Sequence, residues 1–270
     1  MKTANHKPKE LKRLGLLPFF DRLDLKKPIG LLFDVDELLF DNCQDIRSAY
    51  QKLVESYHVT VNAQEEFCGK HLFEILENLK DKYHLSASID EMMQRRRTIY
   101  LDILRSSQTT PCEGVKEIFR FLDRYRNDSN IRIGFVTSSE EAIVEITFQK
   151  IFATIGMPQY VDKPFTFFYH QNGTLSSTYW ERGLQKKPSP QLYELTLKKM
   201  GIEARQGIAF EDSVSGSQAA LALDLNLVVI PSFKDRDSLS RSANNQVYWA
   251  DSLLDFLPFL EELFKEIKKF

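Results

Sequence analysis

Five short apolar runs constrain the fold of this chain more than any other sequence feature. They cover residues 29–35, 131–136, 207–210, 227–230 and 247–250, and they are rich in β-branched and aromatic residues. Segments with helical spacing separate them. A strand without alternating polar positions is buried on both faces, as in a parallel sheet with helices on each side. The sequence therefore predicts an α/β fold with a doubly wound parallel sheet.

The region between residues 42 and 110 departs from this alternation. Apolar residues recur in it at helical spacing, and no strand-like run interrupts them. We therefore expect an all-helical subdomain inserted after the first strand. The predicted organisation is an N-terminal extension at 1–27 that packs on or near the core, a core at 28–41 and 111–270, and the helical insertion at 42–110.

Charge and hydropathy exclude several classes of function. The 270 residues carry 36 basic and 38 acidic side chains, a net charge of -2, so no overall field favours nucleic acid or an anionic membrane. No segment approaches the roughly 18 consecutive apolar residues of a membrane span. Gly15 and Pro18 interrupt the basic N-terminal segment, which argues against a signal peptide. Three cysteines without a C-x-x-C pair indicate a reducing compartment, so we expect a cytoplasmic protein.

Acidic pairs follow two of the predicted strands. Asp34 and Asp36 lie at the end of the first run, and Glu211 and Asp212 follow the third. An aspartate after a strand often only turns the chain and caps a helix, and that reading is favoured for Asp34 and Asp36 taken alone. The carboxyl ends of parallel strands, however, meet at one edge of the sheet, where ligands bind. Two acidic pairs at that edge favour a functional site.

Two more features belong to the same edge. Thr137 and Ser138 follow the second run, where a hydroxyl and successive backbone N–H groups can hold an anion, although such residues are more often a helix cap. Lys187 is followed by two prolines and by a helix predicted to begin near Gln191. The prolines fix the direction of a lysine that, by itself, would usually be a solvated surface charge.

In this order along the chain, the four motifs resemble those of the haloacid dehalogenase superfamily of phosphotransferases. The segments KPSPQLYELTLKKMGI (187–202) and FEDSVSGSQAALAL (210–223) are similar to its β-phosphoglucomutase and phosphoglycolate phosphatase branch. The similarity extends over nearly the whole chain after residue 28. It implies a Rossmann-like core with a helical cap, and it implies phosphoryl transfer as the chemistry.

The resemblance implies a role for each acid. Asp34 would be the nucleophile that forms an aspartyl-phosphate, and also a ligand of Mg²⁺. Asp36 would be the general acid and base, with its backbone carbonyl on the metal. Asp212 would complete the metal ligands of the protein, and Glu211 would bind the ion directly or through water. These roles suit the reaction, which needs a nucleophile, a charge-neutralising cation and a proton donor.

The resemblance also implies which groups hold the transferring phosphoryl. Thr137 would do so with its hydroxyl, together with backbone N–H groups of Val35, Asp36 and Ser138. Lys187 would offset the charge of the phosphoryl oxygens and orient Asp34. The retained acid at Asp36 argues against dehalogenase and phosphonatase chemistry, because those branches lack it.

Substrate-contacting residues are expected in the cap. Lys70 and His71 match the cap loop of the branch, and a helix-start turn with a solvated lysine is an equally good reading. Arg96 falls on the apolar face of its predicted helix with Met92 and Ile99, where an unpaired charge is costly. We therefore expect Arg96 to face the cleft and to bind a distal acidic group of the substrate or a nearby acid.

Three departures from the family pattern are visible. Glu37 replaces a glycine, and we expect its carboxylate to point away from the metal. Leu223-Asp224-Leu225 replaces Ala-Gly-Met, which should affect packing more than chemistry. The segment 165–180 carries the Asn-Gly signal of a tight hairpin. We interpret that hairpin as a surface ornament, the alternative being a recognition element that uses His170, Tyr179 or Trp180.

The sequence thus predicts a magnesium-dependent phosphatase that acts on a small phosphorylated metabolite, a sugar phosphate or a similar phosphomonoester. A phosphomutase of the β-phosphoglucomutase type is the alternative within the same chemistry. A non-catalytic binding protein on the same fold is the alternative outside it. No nucleic-acid or membrane partner is expected, the oligomeric state is a monomer or a weak dimer, and the substrate itself is not determined by the sequence.

Overall fold

The computed structural model describes residues 21–61, 72–108, 110–125, 130–157, 166–170 (backbone), 184–230 and 246–269. The strands are β1 (Ile29–Phe33), β2 (Phe40–Asp41), β3 (Thr110–Pro111), β4 (Ile131–Thr137), β5 (Thr166–His170), β6 (Gly207–Glu211), β7 (Asn226–Val229) and β8 (Val247–Trp249). The α-helices are α1 (Cys43–Glu55), α2 (Leu72–Lys82), α3 (Ile89–Ser106), α4 (Val115–Asp123), α5 (Glu141–Thr154), α6 (Gln191–Met200), α7 (Val214–Leu221) and α8 (Leu257–Ile267).

A six-stranded parallel sheet forms the centre of the molecule, in the order β5-β4-β1-β6-β7-β8. The five predicted strands are confirmed, with ends that differ by one or two residues. The largest difference is that β1 ends at Phe33 rather than at residue 35. Beyond Phe33 the chain turns, and Leu39 N–H bonds back to Val35 C=O at 3.0 Å. Asp34 therefore begins the connection at the strand end.

Both faces of this sheet are buried, which explains why its strands lack polar alternation. In β1, Leu31 and Phe33 pack in the layer that contains α4, α5 and α8, whereas Leu32 packs in the layer of α6 and α7. Phe33 also stacks on Phe210 with ring centroids 4.5 Å apart. Burial of each such side chain contributes about 1.5–3 kcal/mol. The central strand is therefore held from both sides, and its end is a fixed platform.

Strand β5 corrects our interpretation of segment 165–180. Thr166–His170, predicted to be one arm of a surface hairpin, is the edge strand of the main sheet and pairs with β4 from Ile133↔Thr166 to Thr137↔His170. The free edge of β4 offers backbone groups that a β-rich segment satisfies by pairing. A local Asn-Gly signal carries no information about that long-range pairing. The second arm, with Tyr179 and Trp180, lies outside the described residues.

The chain leaves and re-enters the core through a two-stranded ribbon. Strands β2 and β3 pair antiparallel, Phe40 with Pro111 and Asp41 with Thr110. Between them, α1, α2 and α3 pack around a hydrophobic cluster of their own that includes Leu53, Leu76 and Met92. This is the expected inserted helical cap. Of the helices in the described ranges, none is long and apolar enough to cross a membrane.

Asp224 lies at the opposite end of the sheet from the acidic pairs. Its φ of 62° is in the left-handed region, in which a side chain strains the backbone. This explains why the family pattern has a glycine at this position. Its carboxylate accepts hydrogen bonds from Arg22 at 3.1 Å and Arg205 at 2.9 Å. Arg22 also donates to Asn226 at 2.8 Å. Asp224 thus joins the end of the N-terminal segment to the start of β7, a packing role.

Candidate active site

The strand ends bring the predicted acids together. In the register of the sheet, Phe33 pairs with both Phe135 and Phe210. The next residue on each side strand is Val136 on β4 and Glu211 on β6, and Asp34 follows Phe33 between them. This alignment follows from parallel pairing, since equivalent positions on neighbouring strands lie side by side. The end of β1 therefore carries a buried carboxylate next to a second one.

Lys187 connects these two carboxylates. Its Nζ donates to Asp34 Oδ1 at 2.5 Å, to Glu211 Oε1 at 2.6 Å and to Val136 C=O at 2.8 Å. Only 4% of the lysine side chain is exposed, so its three N–H groups are all used inside the protein. Burial alone would lower the pKa of Lys187, but Asp34 and Glu211 more than offset that effect and raise it. The two carboxylates therefore favour the charged form of the lysine that bridges them.

Asp34, Glu211 and Asp212 form the group that could hold a metal ion. One carboxylate oxygen from each lies within 4.8 Å of the others, and all three residues are buried. Burial raises the pKa of Asp34 and of Asp212, and repulsion among the acids adds to it. Three carboxylates face one ammonium, so a further cation is needed to balance the charge. Oxygen ligands of this kind suit a hard divalent ion such as Mg²⁺.

Glu211 shows directly that this group is incomplete without a further donor or cation. The residue is 0% exposed, and its Oε2 has no hydrogen-bond partner among the described residues. A buried carboxylate oxygen without a partner is costly unless something else binds it. The residues present therefore fit a bound cation.

Asp36 occupies a different environment, although it is only two residues from Asp34. Its Oδ2 accepts hydrogen bonds from Thr137 Oγ1 at 3.1 Å and Ser139 Oγ at 2.6 Å. Its Oδ1 accepts one from Asn42 Nδ2 at 3.0 Å. Burial raises the pKa of Asp36, and the hydrogen bonds from Ser139 and Thr137 oppose that change. A carboxyl group with a raised pKa, outside the metal group, is suited to hold and release a proton.

Sequence reasoning missed two of these three donors, Ser139 and Asn42. Asn42 is 1% exposed and stands at the N-cap of α1, but its side chain does not cap the helix. It reaches Asp36 and also donates to the hydroxyl of Tyr100 on α3 at 3.1 Å. An asparagine before a helix ordinarily predicts a cap, so the sequence carries no signal for this direction. Ser139 could have been found as the third hydroxyl of the Thr-Ser-Ser run.

The predicted phosphoryl-binding groups lie where the strand-end argument places them. Val35 separates the two aspartates, and Ser138 follows Thr137 at the end of β4. Ser138 Oγ lies 3.4 Å from the Lys187 backbone N–H. Thr137 is buried, and its hydroxyl oxygen accepts from the Ser139 N–H at 2.9 Å. Their role toward phosphate stays a prediction.

Glu37 stands beside the metal group but not in it. Its φ is 59°, so the backbone adopts the left-handed conformation for which the family uses glycine. The group of candidate ligands among the described residues does not include its carboxylate. Its charge is nevertheless felt there, because it contributes to the raised pKa of Asp212, after burial, Asp34 and Glu211. Glu37 therefore adds backbone strain and a negative charge beside the metal group.

Of the three substrate-contacting residues predicted in the cap, the structure describes one, Arg96. Lys70 and His71 lie outside the described residues. The guanidinium of Arg96 lies over the rings of Tyr50 and Tyr100, 4.7 and 4.9 Å from their centroids, which offsets part of the cost of burying its charge. No acid of the described ranges pairs with Arg96, and its buried Nε has no partner there. Pairing with a nearby acid is thus not found, while binding of a substrate acid stays a prediction.

The neighbouring arginine ties the cap to the core. Arg97 Nε on α3 donates to Glu140, which precedes α5. Lys150 on core helix α5 donates to the backbone carbonyls of Leu104 and Ser107, at the end of cap helix α3. Glu140 directly follows the Thr-Ser-Ser run, so the contact between Arg97 and Glu140 lies next to the site.

Replacement of Asp212 by asparagine should stabilise the metal-free protein. Folding raises the pKa of this carboxyl, so its ionisation favours the unfolded chain, and stability falls as pH rises from the usual carboxyl range through the raised pKa. At neutral pH we expect Asp212→Asn to raise the free energy of unfolding by at least about 1 kcal/mol. Urea unfolding in the presence of a chelator measures it, with exposed Asp81→Asn as the control. A free energy of unfolding of Asp212→Asn equal to or lower than that of wild type would contradict repulsion among the buried carboxylates.

Gly216 on α7 should tolerate no side chain. A Cβ at this position would lie 1.8 Å from Glu211 Oε2 and 2.4 Å from Oε1. We expect Gly216→Ala to lower the free energy of unfolding by about 1–3 kcal/mol, because overpacking displaces the carboxylate. The exposed Gln218→Ala on the same helix should change it by less than about 0.5 kcal/mol. Thermal and urea unfolding compare the two, and equal effects would show that Glu211 does not press on Gly216.

Comparisons with known proteins identify the family of this chain. The family model described as haloacid dehalogenase-like hydrolase matches residues 31–169, just over half of the chain. The phosphorylated carbohydrates phosphatase of Thermotoga maritima is 22% identical over 238 residues, 84% of this chain and 97% of that protein. The fold is shared with a haloacid dehalogenase hydrolase of Entamoeba histolytica (TM-score 0.64, 19% identity, 89% of this chain and 99% of that one). It is also shared with a mutant of CbbY from Rhodobacter sphaeroides in complex with xylulose-(1,5)-bisphosphate (TM-score 0.63, 18% identity, 84% and 95%). The chain belongs to the haloacid dehalogenase-like hydrolases.

Proposed function

We propose that this protein is a magnesium-dependent phosphatase that hydrolyses a small phosphorylated metabolite, a sugar phosphate or a similar phosphomonoester, through an aspartyl-phosphate on Asp34. The observation that carries the proposal is the buried bridge of Lys187 between Asp34 and Glu211, next to Asp212 and apart from Asp36. The Thermotoga relative is named for phosphorylated carbohydrates, and the CbbY structure holds a sugar bisphosphate. Both support this class of substrate.

The first step is attack by Asp34 on the phosphorus of the ester. Lys187 holds Asp34 Oδ1, which leaves Oδ2 to form the new P–O bond. The bond between phosphorus and the ester oxygen breaks, and the leaving oxygen takes a proton from Asp36. Burial raises the pKa of Asp36, which favours the protonated form that this step requires.

The second step returns both acids to their starting state. Asp36, now ionised, takes a proton from a water molecule, whose oxygen attacks phosphorus. The bond to Asp34 breaks and inorganic phosphate leaves. Ser139 and Asn42 keep Asp36 in place during both proton transfers, when the Thr137 hydroxyl turns from Asp36 to the phosphoryl group.

Charge compensation comes from several groups of this chain. Lys187 neutralises part of the phosphoryl charge, and backbone N–H groups of Val35, Asp36 and Ser138 donate to its oxygens. A divalent cation held by Asp34, Glu211 and Asp212, with the Asp36 carbonyl, would supply the remaining neutralisation.

The cap provides the substrate contacts in this proposal. We place its boundaries at residues 42 and 110, next to the ribbon of β2 and β3. Lys70, His71 and Arg96 would contact the leaving group, and closure would exclude bulk water until hydrolysis of the intermediate. We assign the protein to the cytoplasm, in keeping with the free thiols of Cys43 and Cys112, as a monomer or weak dimer.

Two other functions remain as alternatives. A phosphomutase of the β-phosphoglucomutase type would use the same Asp34 but pass its phosphoryl to a sugar phosphate faster than to water. A non-catalytic binding protein would use the fold without turnover. The presence of a nucleophile, an acid, a lysine and a metal group in one buried site argues against the latter.

A metabolite panel with a nucleophile variant tests the function. We expect phosphate release in the presence of Mg²⁺ from at least one sugar phosphate, and Asp34→Asn should lower kcat by a factor on the order of 10³ or more, because the amide cannot form the acyl phosphate. Exposed Asp81→Asn serves as the matched control with unchanged activity. Phosphate release that is the same in Asp34→Asn and wild type would remove Asp34 as nucleophile. Faster transfer to added sugar phosphate than to water would favour the phosphomutase.

Arg96 is tested by substrates that differ at the distal end. We expect Arg96→Met to raise KM about 10-fold or more for a phosphoester with a distal acidic group, since a hydrogen bond to a charged group contributes about 1.5–3 kcal/mol. KM should not change for the matched ester that lacks this group. Arg95→Met is the control, because Arg95 also lies over a tyrosine ring, 4.9 Å from the centroid of Tyr57. Equal losses on both esters would assign Arg96 to cap packing alone.

A further inference from the structure

Tyr193 on α6 contacts the carboxylate group from the helix layer under the sheet. Its hydroxyl donates to Glu211 Oε1 at 2.5 Å, and both residues are 0% exposed. Lys187 Nζ donates to the same oxygen at 2.6 Å and lies 5.3 Å from the centre of the Tyr193 ring. Glu211 is therefore held by two donors on one oxygen.

Gly216 completes this enclosure from another side. The Glu211 carboxylate lies so close to the backbone of α7 that no Cβ fits at position 216. With Tyr193 and Lys187 on Oε1 and the helix backbone beside Oε2, the carboxylate has little freedom to rotate. A ligand oriented by groups behind it needs no reorganisation when a cation binds.

The position of Lys187 depends on the same hydroxyl. Lys187 is shared between Glu211 Oε1 and Asp34 Oδ1, and its third N–H is used by Val136 C=O. The tyrosine hydroxyl and the ammonium thus share Oε1 as their acceptor. A continuous chain of hydrogen bonds therefore connects Tyr193 to Asp34 through Glu211 and Lys187.

We propose that Tyr193 is a positioning residue that fixes Glu211 for the metal ion and keeps Lys187 shared with Asp34. This inference rests on the metal site of the proposed function, and it adds Tyr193, a residue of the segment 187–202 to which the resemblance assigns no role. Tyr193 touches neither substrate nor ion, so its effect is measured by metal binding.

Calorimetric titration of the metal-free full chain with Mg²⁺ tests the inference without any substrate. Removal of one hydroxyl in Tyr193→Phe keeps the ring and its packing, and we expect Mg²⁺ to bind roughly 10-fold more weakly or worse, as for other partners behind metal ligands. Tyr125→Phe makes the same change on a tyrosine that packs against Phe121 and Phe264, away from the site, and should bind as wild type does.

A double-mutant cycle separates positioning from general loosening. In a Glu211→Gln background, Tyr193→Phe should weaken Mg²⁺ binding by less than about 2-fold, because the residue through which it acts has already changed. A full 10-fold loss in that background would overturn the inference. So would wild-type affinity in Tyr193→Phe itself, which leaves the proposed function intact.

A wild type that binds no Mg²⁺ would remove the metal assignment of the proposed function and this inference together. Should Tyr193→Phe fail to fold, 3-fluorotyrosine at position 193 provides the second measurement. Mg²⁺ is expected to shift its ¹⁹F signal but not that of 3-fluorotyrosine at position 125. An unmoved signal at 193 in protein saturated with Mg²⁺ would overturn the inference.

Discussion

The ammonium of Lys187, buried between Asp34 and Glu211, is the interaction on which the rest of the site depends. Two neighbouring parallel strands end in carboxylates, and without this lysine they would repel each other in a medium of low dielectric constant. Breaking such a buried arrangement by removal of one partner is typically worth about 3–5 kcal/mol. The negative charge that remains on the three carboxylates of the site suits a bound cation. Stability and function are therefore set by the same few atoms.

The two aspartates of the D-x-D motif show how position decides chemistry. Asp34 faces an ammonium and two other carboxylates, while Asp36 faces an amide and two hydroxyls. Burial raises the pKa of both, but Asp34 has a cationic partner and Asp36 has only neutral donors in hydrogen-bond contact. These two environments support the proposed roles of Asp34 as nucleophile and of Asp36 as proton carrier.

Much of this could be predicted from the sequence, for a physical reason. Burial of the strands on both faces forces long apolar runs, and acids directly after such runs must lie at the carboxyl edge of the sheet. The positions of Asp34, Glu211 and Asp212 follow from that argument alone. The directions of side chains do not, because they depend on neighbours remote in sequence. Asn42 looks like a helix cap and Tyr193 like a core aromatic until the partners on other elements are known.

The interpretation of strand β5 was wrong because it rested on a local signal. Thr166–His170 was assigned by its local turn signal, whereas the unpaired edge of β4 decides where it goes. Glu37 departs from the family pattern, and its backbone nevertheless adopts the left-handed conformation that favours glycine. The fold therefore dictates the conformation there even when the residue is unfavourable. The ribbon of β2 and β3 has a further consequence, because the chain enters the first helix of the cap directly after β2. Asn42 is the residue after β2 and donates to Asp36, so a side chain at the entrance of the cap is in direct contact with the carboxylate for which we propose the proton transfers.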